Sequence, residues 1–503
     1  MSLRDRLRAL VRRLRPTGNT GQQVAKSAIW VSGQNVIGRL LQLVTLALLA
    51  RLIGPAELGL VGIALLALSA TRKLTNIGLN AALIQKVEED VDTHLNTTWL
   101  LELGRGAIVF GILYLTAPFI AESFFGEPRA TDLVRAIGLS PLLLGARNPG
   151  VVYFQKNLEF DKQALYKLSG DVTQILLAVG YALVSPTAWA FVVGFVGADL
   201  VRTAVSYLIH SYRPWPSFDV DVARELINYG KWLTGSSILY FIYSEGDDAF
   251  VGWFLTPTAL AYYQYTYRFS NAPATELSQV VTSVMFPAFS KLQEDDQQMR
   301  SAFRRTLRMT SLVAFPASIG IIAVAPTLVP ALFGEAWLPA VPVMQILAIY
   351  GLLRAVGRLF GQIWKTVGRP DIITKLSALR VVLIAVVIYP LTDAFGIVGT
   401  AMAVTGVFLL PMMPLDIYIV SRTLDMPVRQ ILYELAFPLV ACLPMGLAVW
   451  WLRPLLPVGR FPTLGLLIPL GVVLYVVTVL LLEELAEWDV SSELRNIARN
   501  AAS

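Results

Sequence analysis

Five arginines, Arg39, Arg72, Arg268, Arg354 and Arg358, lie inside long apolar runs of this chain. An ionised side chain at mid-bilayer costs about 2.5–3.5 kcal/mol on insertion scales, so such groups turn toward a water-filled interior or an opposite charge. Arg354 and Arg358 are four residues apart, on one face of one helix. The chemistry open to this set is the grip of a phosphate or diphosphate, which the planar guanidinium meets with paired N–H donors. Lys73, Arg105, Arg147 and Arg380 sit in similar runs, and the competing reading is a buried ion pair with Glu102, Asp171, Asp199, Glu276 or Asp416. Those cations nearer a span end also have the option of snorkelling to the interface.

A second constellation has the opposite sign. Glu245, Asp247 and Asp248 fall within four residues, and three such close acids repel unless they hold protons, pair with arginine or bind a cation. They are the expected point of coupling to a proton or sodium gradient, with salt bridges between halves as the rival reading. Tyr240, Tyr243, Tyr263 and Tyr267 flank them and offer rings and hydroxyls to sugars, unless they belong to an interfacial belt. The two histidines, His94 and His210, are far apart, and the single cysteine, Cys442, has no partner. Neither a metal centre, a disulfide nor a cofactor is expected.

The elements that position these groups are membrane spans. The chain has 503 residues, 55% of them hydrophobic and 15% charged. Its apolar runs are continuous rather than alternating, which favours helices over a strand barrel. About fourteen spans are expected, each near the roughly 20 residues that cross a bilayer. They begin near 24–53, 57–86, 94–121, 129–157, 161–184 and 187–212, and resume near 230–256, 257–291, 300–332, 337–367, 370–391 and 396–422. Two more follow near 427–453 and 461–485.

The spans group into two halves. Trp30 to Gly33 recur as Trp232 to Gly235 at an offset of 202, and Pro55 and Leu58 recur at the same offset as Pro257 and Leu260. Lys and Arg gather in alternate short loops, Lys156, Lys162, Arg213, Arg224, Lys365, Arg369, Arg422 and Arg429 among them, so both termini are expected in the cytoplasm. An even number of spans per half then makes the halves parallel repeats, the design of a transporter that rocks about a site between them. The expected domains are an N-terminal segment 1–23, a first lobe 24–212, a linker 213–229, a second lobe 230–422, two added helices in 423–485 and a tail 486–503. The first segment sets Leu3, Leu7, Leu10 and Leu14 against six arginines, the pattern of a helix lying on anionic lipid rather than on nucleic acid. No loop is long enough for a catalytic head, so an enzyme is not expected.

The stretch from Ser27 to Leu68, with its "ARLIGPAELG" turn, resembles the polysaccharide transporter branch of the multidrug/oligosaccharidyl-lipid/polysaccharide (MOP) superfamily, the Wzx-type flippases. "IGLNAALIQ" (Ile77 to Gln85) and "FPAFSKLQ" (Phe286 to Gln293) extend the likeness along nearly the whole chain. The resemblance implies an all-α integral membrane protein of MATE-like fold. Two six-helix lobes are related by a pseudo-two-fold along the membrane normal, and the two C-terminal helices offer a groove to a polyprenyl tail. It implies a monomeric transporter of the bacterial inner membrane that moves an undecaprenyl-diphosphate-linked oligosaccharide to the periplasmic leaflet, serving polysaccharide polymerase and export machinery. Arg39, Arg72 and Arg268 lie on the helices whose arginines face the diphosphate in related lipid flippases. The alternative is a cation-coupled exporter of organic cations from the same superfamily, which the acids on the seventh helix favour.

Overall fold

The computed structural model describes residues 20–75, 91–272, 289, 292, 295–456 and 459–486. The leucine–arginine stripe of the first segment, Glu276, "IGLNAALIQ" and most of "FPAFSKLQ" lie outside these residues, as does the side chain of Tyr240. The described residues are helical, without strands. They divide into two compact units, Met1–Ala261 and Tyr262–Ser503.

The first unit is built from α1 (Thr20–Ile53), α2 (Pro55–Leu74), α3 (Val91–Pro118), the short α4 (Thr131–Ile137) and α5 (Leu139–Gly145), α6 (Phe160–Val184), α7 (Trp189–Ile209) and α8 (Val220–Phe254). The helix over residues 257–272, α9, contains the division. The second unit continues with α10 (Asp296–Leu332), α11 (Val341–Thr366), α12 (Pro370–Val407), α13 (Met413–Thr423), α14 (Val428–Leu452) and α15 (Arg460–Ala486). Nine stretches among the described residues are long and apolar enough to cross a membrane, and one of these, Pro370–Thr423, holds two expected spans joined through Gly396. The chain is thus a multi-pass, all-helical membrane protein.

The expected span 129–157 is not one helix. It breaks at Gly138 and again over residues 146–148, before a 3-10 turn at Pro149–Val152. Pro149 has no N–H to continue a helical ladder, and the preceding residue is steered away from helical dihedrals. Asn148 accordingly has ψ 118. Proline also explains the wide π turn between α12 and α13. With Pro411 and Pro414 unable to donate, the Met413 N–H bonds the Phe408 carbonyl five residues back.

The duplication persists in the backbone beyond the four-residue motifs. Phe125-Gly126-Glu127 and Phe333-Gly334-Glu335 both place glycine at positive φ (67° and 96°) and both lead into a 3-10 turn. Farther on, Leu158 and Gly368 share a left-handed φ (58° and 72°), as the residue after a helical end requires. Their caps match bond for bond: Asn157 N–H to Tyr153 O and Glu159 N–H to Phe154 O in one, Val367 N–H to Ile363 O and Arg369 N–H to Trp364 O in the other. The offset grows from 202 to 208 at Gly126/Gly334 and to 210 at Leu158/Gly368, so the second copy of the plan is longer than the first by a few residues.

Candidate functional site

A chain of charged and polar groups crosses the first unit. Arg72, in the last turn of α2, donates to the Ser140 hydroxyl on α5 at 2.6 Å, and that hydroxyl donates to Asp199 Oδ2 on α7. Asp199 and Arg202 are three residues apart on α7, close enough to bond at 2.8 Å. The other arm of Arg202 reaches Asp171 on α6 at 2.5 Å. It passes over Gly170, where a Cβ would stand 2.1 Å from the guanidinium Nε. Two cations and two carboxylates are therefore joined through one serine. Asp199, only 2% exposed, has a donor on each oxygen, so neither of its buried acceptors is left unsatisfied.

Other charges of this unit are placed locally. Half-buried Arg39 donates to Gln42 at 2.8 Å one turn along α1, and Arg105 pairs with Glu102 at 3.0 Å. Glu245 on α8 accepts from Ser69 on α2 at 2.7 Å, so α8 is tied into the first unit by one of the acids expected to carry coupling. Asp247, Asp248 and Tyr243 are half-buried on the same helix.

The second unit gathers an arginine among aromatic rings. Arg354 on α11 donates to the Tyr267 hydroxyl on α9, and its guanidinium lies 5.8 Å from the Tyr267 ring and 5.6 Å from the Tyr350 ring. Tyr263, fully buried, stacks on Tyr267 at 6.4 Å. On the far side Tyr350 meets Phe408 edge-on at 5.5 Å, and Arg380 on α12 lies 4.0 Å over that ring. Cation–π contact and delocalised charge suit arginine to such a lining. Arg268 and Arg358 are half-buried on α9 and α11.

An apolar cavity of about 490 Å³ opens between α10, α14 and α15, lined by Pro316, Gly320, Met445, Gly446, Gly471 and Tyr475 among others. That is within the roughly 300–1,000 Å³ of ordinary ligand sites. At the end of the first unit, the connector after α7 is fastened rather than loose. Buried Asn148 donates to the Tyr212 carbonyl at 2.6 Å and accepts from the Gly150 N–H at 2.9 Å, while the Tyr212 hydroxyl bonds Asn96 at 2.7 Å. His210 accepts from the Tyr212 N–H at 3.1 Å and stacks on Tyr153. Burial, with Lys162 and Arg213 nearby, holds the His210 imidazole below its ordinary range, so it is neutral at pH 7.

Of the residues singled out in the sequence, Tyr263, Tyr267 and Arg354 come together. Arg72 lies instead in an ionic chain, with Asp171 and Asp199 as its more distant partners. Sequence reasoning missed Arg202 and Ser140. The Asp199/Arg202 spacing was a usable signal for Arg202; Ser140 had none. It also missed Arg308, which grips the 2%-exposed Glu434 with two bonds of 2.9 and 3.1 Å, joining α10 to α14.

This architecture has known counterparts. The chain is 26% identical to the lipopolysaccharide biosynthesis protein WzxC of Escherichia coli K12 over 84% of its own length and 86% of that protein's. Its fold is that of the lipid II flippase MurJ in an inward closed conformation (TM-score 0.71, 15% identity, 91% of this chain and 99% of that one). It is also similar to an inward-facing multidrug resistance MATE transporter of the MOP superfamily (TM-score 0.60, 15% identity, 79% and 99% covered). A model of the polysaccharide biosynthesis protein family matches residues 48–342, more than half of the chain and including α2, the ionic chain of the first unit and the Tyr263–Tyr267 pair. With charge carried inside its spans and a helical plan used twice, the protein belongs to the polysaccharide biosynthesis protein family.

Proposed function

We propose that the protein is a flippase that carries a lipid-linked oligosaccharide, an undecaprenyl-diphosphate-linked repeat unit, from the cytoplasmic to the periplasmic leaflet of the bacterial inner membrane by alternating access. The observation that carries this reading is the Arg354–Tyr267 pair set among the packed tyrosine rings of α9 and α11. It unites a phosphate-binding cation with rings and hydroxyls suited to sugars, without requiring any bond to be made or broken. Arg39, Arg72, Arg268 and Arg358 supply further positive charge for the diphosphate, and Tyr240 and Tyr243 further sugar contacts. The apolar cavity between α10, α14 and α15 suits the polyprenyl chain, which gains roughly 0.8 kcal/mol per buried methylene in water but needs only shape in a bilayer. The alternation of Lys and Arg between short loops supports cytoplasmic termini, and on this reading the chain works as a monomer beside a polysaccharide polymerase.

Single substitution of Arg39, Arg72, Arg268 and Arg354 tests this. Each variant is scored for glycan export and for accumulation of lipid-linked repeat units inside the cell. Reduced export with accumulation is expected for Arg354→Ala and for at least one of the others; normal export in all four removes the diphosphate role. The seventh-helix acids favour a second reading, cation-coupled export of organic cations, or proton or sodium coupling of the flippase itself. The Glu245–Ser69 bond weighs toward a structural part for Glu245. Efflux assays on Asp247→Asn and Asp248→Asn decide the exporter reading, which fails if the parent protein moves none of the tested cations.

A further inference from the structure

Two aspartates are nearly absent from the surface of their units, Asp199 at 2% and Asp416 at 3% exposure, yet their surroundings differ. Each oxygen of Asp199 accepts a hydrogen bond, one from Ser140 and one from Arg202. Asp416, on α13, has Oδ2 3.7 Å from an Arg380 nitrogen, beyond hydrogen-bond reach, and its Oδ1 has no donor among the described residues. A carboxylate removed from water without donors is the costlier of its two forms, whereas a neutral acid fits such a pocket.

The position is built rather than accidental. The π turn at Phe408–Met412 widens the helix just before Asp416. Gly357 on α11 leaves the space that Phe408 and Asp416 occupy: a Cβ there would be 3.2 Å from the Phe408 ring and 4.0 Å from Asp416 Oδ2. Arg380, itself buried, is pressed on that ring at 4.0 Å. Among charged groups on the packed elements, Arg380 of α12 faces the carboxylate. Arg354 of α11 is engaged with Tyr267, half-buried Arg358 adjoins Gly357 as a second cation of that helix, and Lys365 lies two turns farther on. Glu434 of α14 is committed to Arg308 and Arg429 lies near the start of that helix, while Arg422 of α13 lies over Tyr418.

We infer that Asp416 is a proton-binding site of the second unit, with Arg380 as the internal cation that holds it when the proton leaves. Protonation releases Arg380 from the ion pair, and loss of the proton restores it. Through Phe408 and Tyr350 the site adjoins the Arg354–Tyr267 pair, so the state of the carboxyl is transmitted to the lining by ring packing. The inference does not depend on which substrate the protein moves.

The test uses the full-length protein in lipid vesicles and the proton alone as ligand. Difference infrared spectra between acid and neutral pH read the C=O stretch of each carboxylic acid formed. Asp416→Asn is expected to lose one such band, and Asp199→Asn to retain it. A full set of bands in Asp416→Asn, or loss of the same band in Asp199→Asn, overturns the assignment. Asp416→Asn leaves Arg380 without its partner, so the neutral pair Arg380→Gln/Asp416→Asn repeats the measurement in a bundle with both charges removed; retention of the band there overturns the assignment equally.

Discussion

In the first unit a buried aspartate is ringed by donors, and the guanidinium beside it bonds a second carboxylate; in the second unit an equally buried aspartate has one cation at 3.7 Å and an oxygen with no donor. Burial is the same, so burial does not separate them. The number of donors does. Saturated groups act as a fixed strut between α2, α5, α6 and α7, because loss of any partner exposes a charge to a low-dielectric interior. An unsaturated pair has a second state of similar cost available to it, which is what a moving part requires.

The largest effect should separate the two directly. Arg202→Met strands Asp199 and Asp171 together and is expected to cost about 3–5 kcal/mol, the usual penalty for breaking a buried pair from one side. The same change at Arg380 should cost less than half of that, because Asp416 can take a proton. Thermal unfolding of the purified variants in detergent measures both, and equal losses would erase the distinction between the units.

Next in size is the aromatic lining. Arg354→Gln removes a charge-assisted hydrogen bond worth about 1.5–3 kcal/mol, so export should fall at least tenfold if that bond, or its replacement by a diphosphate oxygen, is used during transport. Tyr267→Phe keeps the ring and should retain more export than Arg354→Gln. A Tyr267→Phe protein as inactive as Arg354→Gln would assign the hydroxyl, not the cation, the leading part.

A smaller effect concerns pH and belongs to the first unit alone. His210 is held neutral below the ordinary histidine range, so the unfolded chain binds its proton before the folded one does. Stability should be at its full value above pH of about 6.5 and fall as pH drops below it. Comparing melting temperature against pH for the parent and His210→Asn checks this: the fall between neutral and mildly acid pH should be shallower in the variant.

The smallest effect probes the repeated plan itself. Leu158 occupies a left-handed position that its counterpart fills with Gly368. A residue with a Cβ is strained there, so Leu158→Gly should stabilise by about 0.5 kcal/mol and Gly368→Ala destabilise by about 1 kcal/mol. Opposite signs in paired unfolding measurements would show that the two caps are energetically as well as geometrically equivalent.

The spans themselves were legible because twenty apolar residues in a row have few alternatives, and the doubled plan was legible wherever its residue identities survived, as at Trp30 and Trp232. The equivalence of Leu158 and Gly368 was not, since the shared property is a dihedral angle and their side chains have nothing in common. The break in the fourth span was signalled by Pro141 and Pro149, but a span of suitable length concealed it. For the charges, a three-residue spacing was an available signal for local partners, Glu102 with Arg105 and Asp199 with Arg202, although the second pair was passed over. It gave no route to Ser140, which stands 68 residues from Arg72 and 59 from Asp199.

Sequence alone therefore determined that this is a helical membrane protein of duplicated design, with arginines it must either pair or use. Hydropathy and spacing act along the chain, and a bilayer enforces them residue by residue. Only the tertiary structure decided which arginines are locked and which are poised. The donors that settle an aspartate come from helices remote in sequence, and whether an oxygen has a donor at 2.8 Å or a cation at 3.7 Å is fixed by packing.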